Sequence, residues 1–207
     1  YCTAFDPAGA PMMRFSSMKL PSASHIALNT RTPLIVRHCI GILENIHLRG
    51  TMDNAVSKAW DKLGHNAVGR WLFSRVICFK APYFASIRPV FRRLEPGVCE
   101  VGFSKRRAVQ NHIGTVHAIA ICNAAELAGG IVTEVTLPAT HRWIPKGMSV
   151  EYLRPATTDL VATARCTLPE ALEDQQTLKI TVVISDTTET IVTRALIDMH
   201  VSRRGSR

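Results

Sequence analysis

From residue 86 to residue 201 the chain is patterned for strands, with one long interruption. Residues 89–94 read as a strand, and Glu95-Pro96-Gly97 as a tight turn. Cys99, Val101 and Phe103 then alternate with Glu100, Gly102 and Ser104, the signature of a half-buried strand. After the interruption, Met148, Val150 and Tyr152 alternate with Ser149 and Glu151. Leu160, Ala162, Ala164 and Cys166 repeat the period, as do Leu178, Ile180, Val182 and Ile184. The last strand carries Ile191, Thr193, Ala195, Ile197, Met199 and Val201 on one face. Residues 132–137 also read as a strand, and Trp143-Ile144-Pro145-Lys146-Gly147 as a turn or bulge.

The interruption is a polar turn, Asn111-His112-Ile113-Gly114-Thr115-Val116-His117, feeding a helix expected over about 115–129. Ala118, Ala120, Ala124, Ala125 and Ala128 suit close approach of that helix to strands. Between Ile113 and Val132 the one charged side chain is Glu126. Strands joined by short turns imply an antiparallel sheet, and one apolar helix must be covered by its concave face. The expected class is therefore α+β, with residues 85–203 as the main domain.

Upstream the period is helical. Asp53 is placed to cap a helix with apolar positions Val56, Ala59, Trp60 and Leu63, ended by Gly64. A second helix carries Val68, Trp71, Leu72 and Val76 on one stripe, with Arg70, Arg75 and Lys80 towards water, and stops before Pro82. Residues 31–84 are read as a helical segment packed on the sheet. Residues 1–30 are read as a leader and 204–207 as a basic tail. The chain opens on Tyr1, with Met12, Met13 and Met18 as candidate starts, and has no acid between Pro7 and Leu43. That composition fits either a disordered leader or an organellar transit peptide. The compartments it allows are the cytoplasm and the mitochondrial matrix.

Composition narrows the function classes. A net charge of +9 favours anionic partners. Aromatic content of 6% offers little for base stacking, so nucleic acid is not the expected partner. The six cysteines are widely spaced without a CxxC pair, which argues against a zinc site; no metal or cofactor is expected. No integral membrane segment is expected either, because polar residues and Gly129-Gly130 interrupt the longest apolar stretch.

The order of elements, with Asn111, Gly114, Thr115, His117 and Glu126, resembles the hotdog fold, a curved antiparallel sheet around a central helix. In the phenylacetyl-CoA-type thioesterases the pattern is an asparagine, a Gly-x-x-His-Gly-Gly helix start, and an acid nine residues after the histidine. His117 and Glu126 keep that spacing. The segment from Trp143 to Tyr152, with Arg154-Pro155-Ala156 after it, is similar to a less characterised branch of hotdog thioesterase-like proteins. The resemblance covers roughly residues 50–203.

It implies an acyl-CoA thioesterase acting on a fatty or aryl acyl thioester, with Glu126, Asn111 and His117 as catalytic residues. The backbone N–H groups of Ala118 and Ile119 would hold the oxyanion, and Arg142, Lys146 and Arg154 the coenzyme A phosphates. Nine helical residues span about 13 Å and half a rotation. His117 and Glu126 of one chain therefore cannot easily meet at one carbonyl, which predicts a homodimer, or a dimer of dimers, with shared sites. One departure stands out: the family's Gly-Gly is Ala118-Ile119 here, and a Cβ narrows the approach of a ligand to the backbone. A non-catalytic acyl-CoA or lipid-binding hotdog protein thus stays open beside the enzyme, as does a basic scaffold that binds nucleic acid or an anionic surface.

Overall fold

The computed structural model describes residues 54–205. Two helices come first, α1 (Ala55–Leu63) and α2 (Ala67–Lys80). A 3-10 turn, Pro82–Ile87, leads into β1 (Val90–Glu95) and β2 (Val98–Phe103). The chain then enters α3 (Ala118–Thr136) and returns as β3 (His141–Tyr152), β4 (Leu160–Arg165), β5 (Gln176–Ser185) and β6 (Ile191–Arg203). The six strands form one sheet in the order β1-β2-β4-β5-β6-β3, with every neighbour antiparallel. This is the hotdog fold: a curved antiparallel sheet around the central helix α3, with extra N-terminal helices.

The alternating residues select which face closes on the helix. Leu160, Ala162 and Ala164 of β4, Leu178 to Ile184 of β5, and Ala195 to Val201 of β6 are buried at every second position. Ala124, Ala125 and Ala128 are buried on the helix, where small side chains let strands approach. The helix is long and apolar enough to cross a membrane, but its own sheet buries most of it. That is the state of a core helix.

The helix starts three residues later and ends seven residues later than its expected bounds of 115–129, and residues 132–136 are its last turn and more, with Leu137 as the C-cap, not a strand. Val132, Thr133, Val135 and Thr136 favour strands when judged alone. Burial decides otherwise: Val132 and Thr133 are fully enclosed, and Thr133 Oγ1 donates to the Gly129 carbonyl at 2.7 Å. Gly129 and Gly130 do not break the helix. A Cβ on Gly129 would lie 2.7 Å from Ile197 Cδ1, and one on Gly130 would lie 2.9 Å from the Trp143 ring. The two glycines are where sheet and ring press closest.

Asn54 caps α1 by accepting from the Val56 N–H at 2.9 Å, and Gly64 ends that helix. The expected cap, Asp53, lies outside the described residues, as do the expected leader and residues 31–53. Asn66 caps α2 through the Gly69 N–H at 2.8 Å. Phe73 of α2 stacks edge-on against Trp60 of α1 and Phe91 of β1, with centroids 5.1 and 5.0 Å apart. That cluster rotates α2 away from the expected stripe. Phe73, Val76 and Cys78 face inward, while Val68 and Trp71 face out.

Candidate functional site

The turn before α3 is held by its own polar residues. Asn111 Oδ1 accepts from the Ile113 and Thr115 N–H groups, both at 3.1 Å, and Nδ2 donates to Thr115 Oγ1 at 2.7 Å. Gly114 has φ +78°, a left-handed conformation that glycine adopts without strain. Asn111 is thus half-buried, with both ends of its amide engaged inside the turn. This shapes the loop, occupies both lone pairs of Oδ1, and leaves one Nδ2–H to meet a ligand or water.

His117 is the N-cap of α3. Its Nδ1 accepts from the Ile119 N–H at 3.1 Å, and its own N–H donates to the Val109 carbonyl at 2.8 Å. An imidazole that accepts at Nδ1 carries its proton on Nε2, so the exposed ring offers Nε2–H as a donor. The cap also changes the expected oxyanion pair. The Ile119 N–H is already taken by His117, whereas the Ala118 N–H has no partner among the described residues. Donors available to a carbonyl here are therefore the Ala118 N–H and His117 Nε2–H, at the positive end of a 19-residue helix.

Glu126 lies further along the same helix, exposed, with no hydrogen bond or ion pair among the described residues. Ile119, Cys122 and Glu126 follow the i, i+3, i+7 spacing of one outward stripe, and none is buried. The stripe touches the edge strand: Cys122 Sγ lies 3.1 Å from the Tyr152 hydroxyl. Burial, then the Cys122 hydrogen bond, pushes the Tyr152 phenol up to about 12. Cys122 is therefore not the core residue that its apolar surroundings in the sequence suggest. The alternation Met148-Val150-Tyr152 marked the right face of β3, but only the fold shows that it ends on this stripe.

A bulge between Pro145 and Gly147 explains how β3 serves both ends of the helix. Before it, Trp143 faces α3 and donates Nε1–H to Glu134 Oε2 at 2.7 Å. After it, Met148 and Val150 pack on the core and Tyr152 reaches Cys122. Among the described residues the other rim of β3 has no partner strand, so its long edge is open there.

The three expected phosphate contacts do not converge within one copy. Arg142 is at the start of β3, with Nε donating to Ser202 Oγ at 3.0 Å. Lys146 is at the bulge, about 13 Å along an extended strand. Arg154 lies past the end of β3, where its charge helps hold the Asp186 carboxyl below its usual range, after hydrogen bonding from Thr188. All three are exposed. Among the described residues there is no cluster of three metal-ligating side chains. Burial raises the thiols of Cys78, Cys99 and Cys166, which makes them poor nucleophiles.

A family profile described as "Domain of unknown function (DUF4442)" matches residues 69–201, more than half of the 207-residue chain. The chain belongs to the DUF4442 family. Its fold is shared with a structural-genomics protein, APC5556, at 46% identity and TM-score 0.64, over 72% of this chain and 98% of that one. A thioesterase from Haemophilus influenzae matches at 12% identity and TM-score 0.53, over 60% of this chain and 87% of that one. A thioesterase family protein from Silicibacter pomeroyi matches at 16% identity and TM-score 0.55, over 63% and 96%. At those identities the last two show only that the DUF4442 chain shares their fold, the hotdog fold. Among curated proteins none matches.

Proposed function

We propose that this DUF4442 protein hydrolyses an acyl thioester of coenzyme A at a site shared by two copies of the chain. The observation that carries the reading is Glu126: an exposed carboxylate, without a partner among the described residues, on an outward stripe of a mostly buried helix. It lies nine residues from a helix N-terminus with an unused backbone donor. An open β3 edge supports assembly, since antiparallel pairing of two such edges about a two-fold axis is a common isologous contact. The stripe on α3 would then face its counterpart.

In this reading the thioester oxygen sits against the Ala118 N–H and His117 Nε2–H of one copy. Glu126 of the other takes a proton from water, and the hydroxide attacks the carbonyl carbon. The oxyanion is held by the two donors while the C–S bond breaks. The proton returns from Glu126 to the leaving thiolate. Asn111 keeps the turn in shape and orients the water or the carbonyl. Direct attack by Glu126 is the alternative route, and 18O from labelled water would then enter the carboxylate. Lys146 and Arg142, with Arg154 of either copy, are the candidate phosphate contacts.

Ala118-Ile119 and the occupied Ile119 N–H favour a second reading, in which the same site binds acyl-CoA without turnover. A thiol-release assay across acyl-CoA chain lengths decides between them. Hydrolysis that disappears in Glu126→Gln supports the enzyme. Acyl-CoA binding without thiol release by the wild type removes it. The shared site fails if the protein is active and monomeric by analytical ultracentrifugation at assay concentration.

A further inference from the structure

The outward face of α2 is apolar where a surface helix is ordinarily polar. Val68, Trp71, Leu72, Arg75 and Phe79 share that face by helical spacing. Val68 is 75% exposed, Trp71 51% and Phe79 39%, and Tyr83 in the turn that follows is 69% exposed. No aromatic partner or hydrogen bond from their side chains accounts for them among the described residues. Such a contiguous run marks a surface that another body covers.

Charge points to the kind of body. From residue 62 to residue 94 the chain has seven Lys and Arg residues and no acid. Arg93 is neutralised by Glu95 and, at 4.0 Å, by Glu100. Arg70 and Arg75 donate to the neutral Gly64 and Pro89 carbonyls at 3.4 and 3.2 Å, and no carboxylate pairs with them among the described residues. Lys62, Lys80, Arg88 and Arg92 are exposed and have no ion pair among the described residues. The nearest acid in sequence is Asp61, exposed at the end of α1. Where the start of α2 meets β1, an open cavity of about 400 Å³ is lined by Ala67, Arg70, Val90 and Arg92. Two guanidinium groups beside apolar carbons suit an anionic headgroup whose glycerol and chain extend outward.

We infer that the α2 face, with its flank against β1, is a docking surface for an anionic phospholipid membrane. Val68, Trp71, Phe79 and Tyr83 enter the headgroup boundary, and Lys80, Arg88, Arg92 and Arg70 meet the phosphates. Trp and Tyr favour that boundary, and each basic residue near an anionic leaflet adds attraction. A second copy of the chain is a poorer occupant, because an isologous contact would set like charges on like. Nucleic acid is poorer too: its phosphates match the arginines, but it offers nothing apolar to Val68, the most exposed of the group. The surface lies at the β1 end of the sheet, at the opposite edge from β3, so it is compatible with the proposed dimer and independent of any activity.

The test is co-sedimentation of the full chain with phosphatidylcholine vesicles, with and without one quarter phosphatidylglycerol, across a salt series. Binding is expected to the anionic vesicles alone and to weaken as salt rises. Val68→Ser/Trp71→Ser is expected to lower partitioning about tenfold or more, since each side chain contributes apolar burial. Lys80→Gln/Arg92→Gln is expected to lower it by a similar factor on anionic vesicles. Circular dichroism checks that each variant stays folded. In the wild type, Trp71 fluorescence should shift to the blue on anionic vesicles, a change absent from Trp71→Ser. The inference is overturned by equal binding to both vesicle types or by none. It is also overturned by unchanged binding in the serine variant, by tighter Trp71-dependent binding to an RNA oligonucleotide, or by a change in sedimentation coefficient showing that Trp71 joins two copies.

Discussion

Cys122 and Tyr152 join the central helix to the edge strand at its outward stripe, with Sγ 3.1 Å from the phenol oxygen. Four residues on from Cys122, Glu126 occupies the same stripe. The contact places a phenol about one helical turn from the carboxylate proposed to do the chemistry.

Its titration is measurable. The folded chain holds the Tyr152 phenol neutral up to about 12, by burial first and then by the Cys122 hydrogen bond, against 10.0 ordinarily. A raised acid contributes stability that is complete below its ordinary value and is lost as pH climbs to the folded one. The stability difference between wild type and Tyr152→Phe should therefore shrink between pH 10 and about 12. Ultraviolet difference absorbance should show one late-titrating phenol that Tyr152→Phe removes. Because the side chain is half-exposed, the effect should be small.

Glu126→Gln should lower thioester hydrolysis by about 100- to 10,000-fold, the usual contribution of a positioned base. An exposed side chain without partners leaves stability within about 0.5 kcal/mol. Thermal denaturation should thus coincide with wild type while thiol release vanishes. Near-wild-type turnover would remove Glu126 from the mechanism.

His117 has two separable roles. His117→Ala should cost about 1 kcal/mol through the lost cap, lowering Tm by about 2–4 °C in a protein of this size. His117→Ser can cap α3 but lacks the Nε2–H donor. If the histidine also holds the oxyanion, His117→Ser should regain the Tm and stay slow. Recovery of both would assign His117 to the cap alone.

The glycine pair on α3 should differ in the cost of an added methyl. A Cβ on Gly129 meets the flexible end of Ile197, so Gly129→Ala is expected to be near neutral, helped by better helix propensity. A Cβ on Gly130 meets the Trp143 ring, which is anchored to Glu134. Gly130→Ala should therefore cost about 1–3 kcal/mol through overpacking. Denaturant unfolding of the two variants side by side checks the order.

The alternation of β2, β4, β5 and β6 was legible because one face of each strand is closed by α3 and the other is not, so period two survives in the residues. Gly64 and Pro82 also announced helix ends correctly, since they act locally. Elements whose residues did not match one buried face were not legible. Val132 to Thr136 has strand-forming residues within a helix, and α2 is apolar nearly all round, so its inward face could not be read from spacing.

The residues by themselves determined the antiparallel sheet, the single central helix and the odd position of Glu126, because period, turn chemistry and charge are properties of neighbours in sequence. Only the tertiary structure decided the length of α3, the face of α2 and the state of the helix start. Those depend on contacts between distant residues: Trp143 over Gly130, Phe73 between Trp60 and Phe91, and a histidine ring that takes the N–H expected to be free.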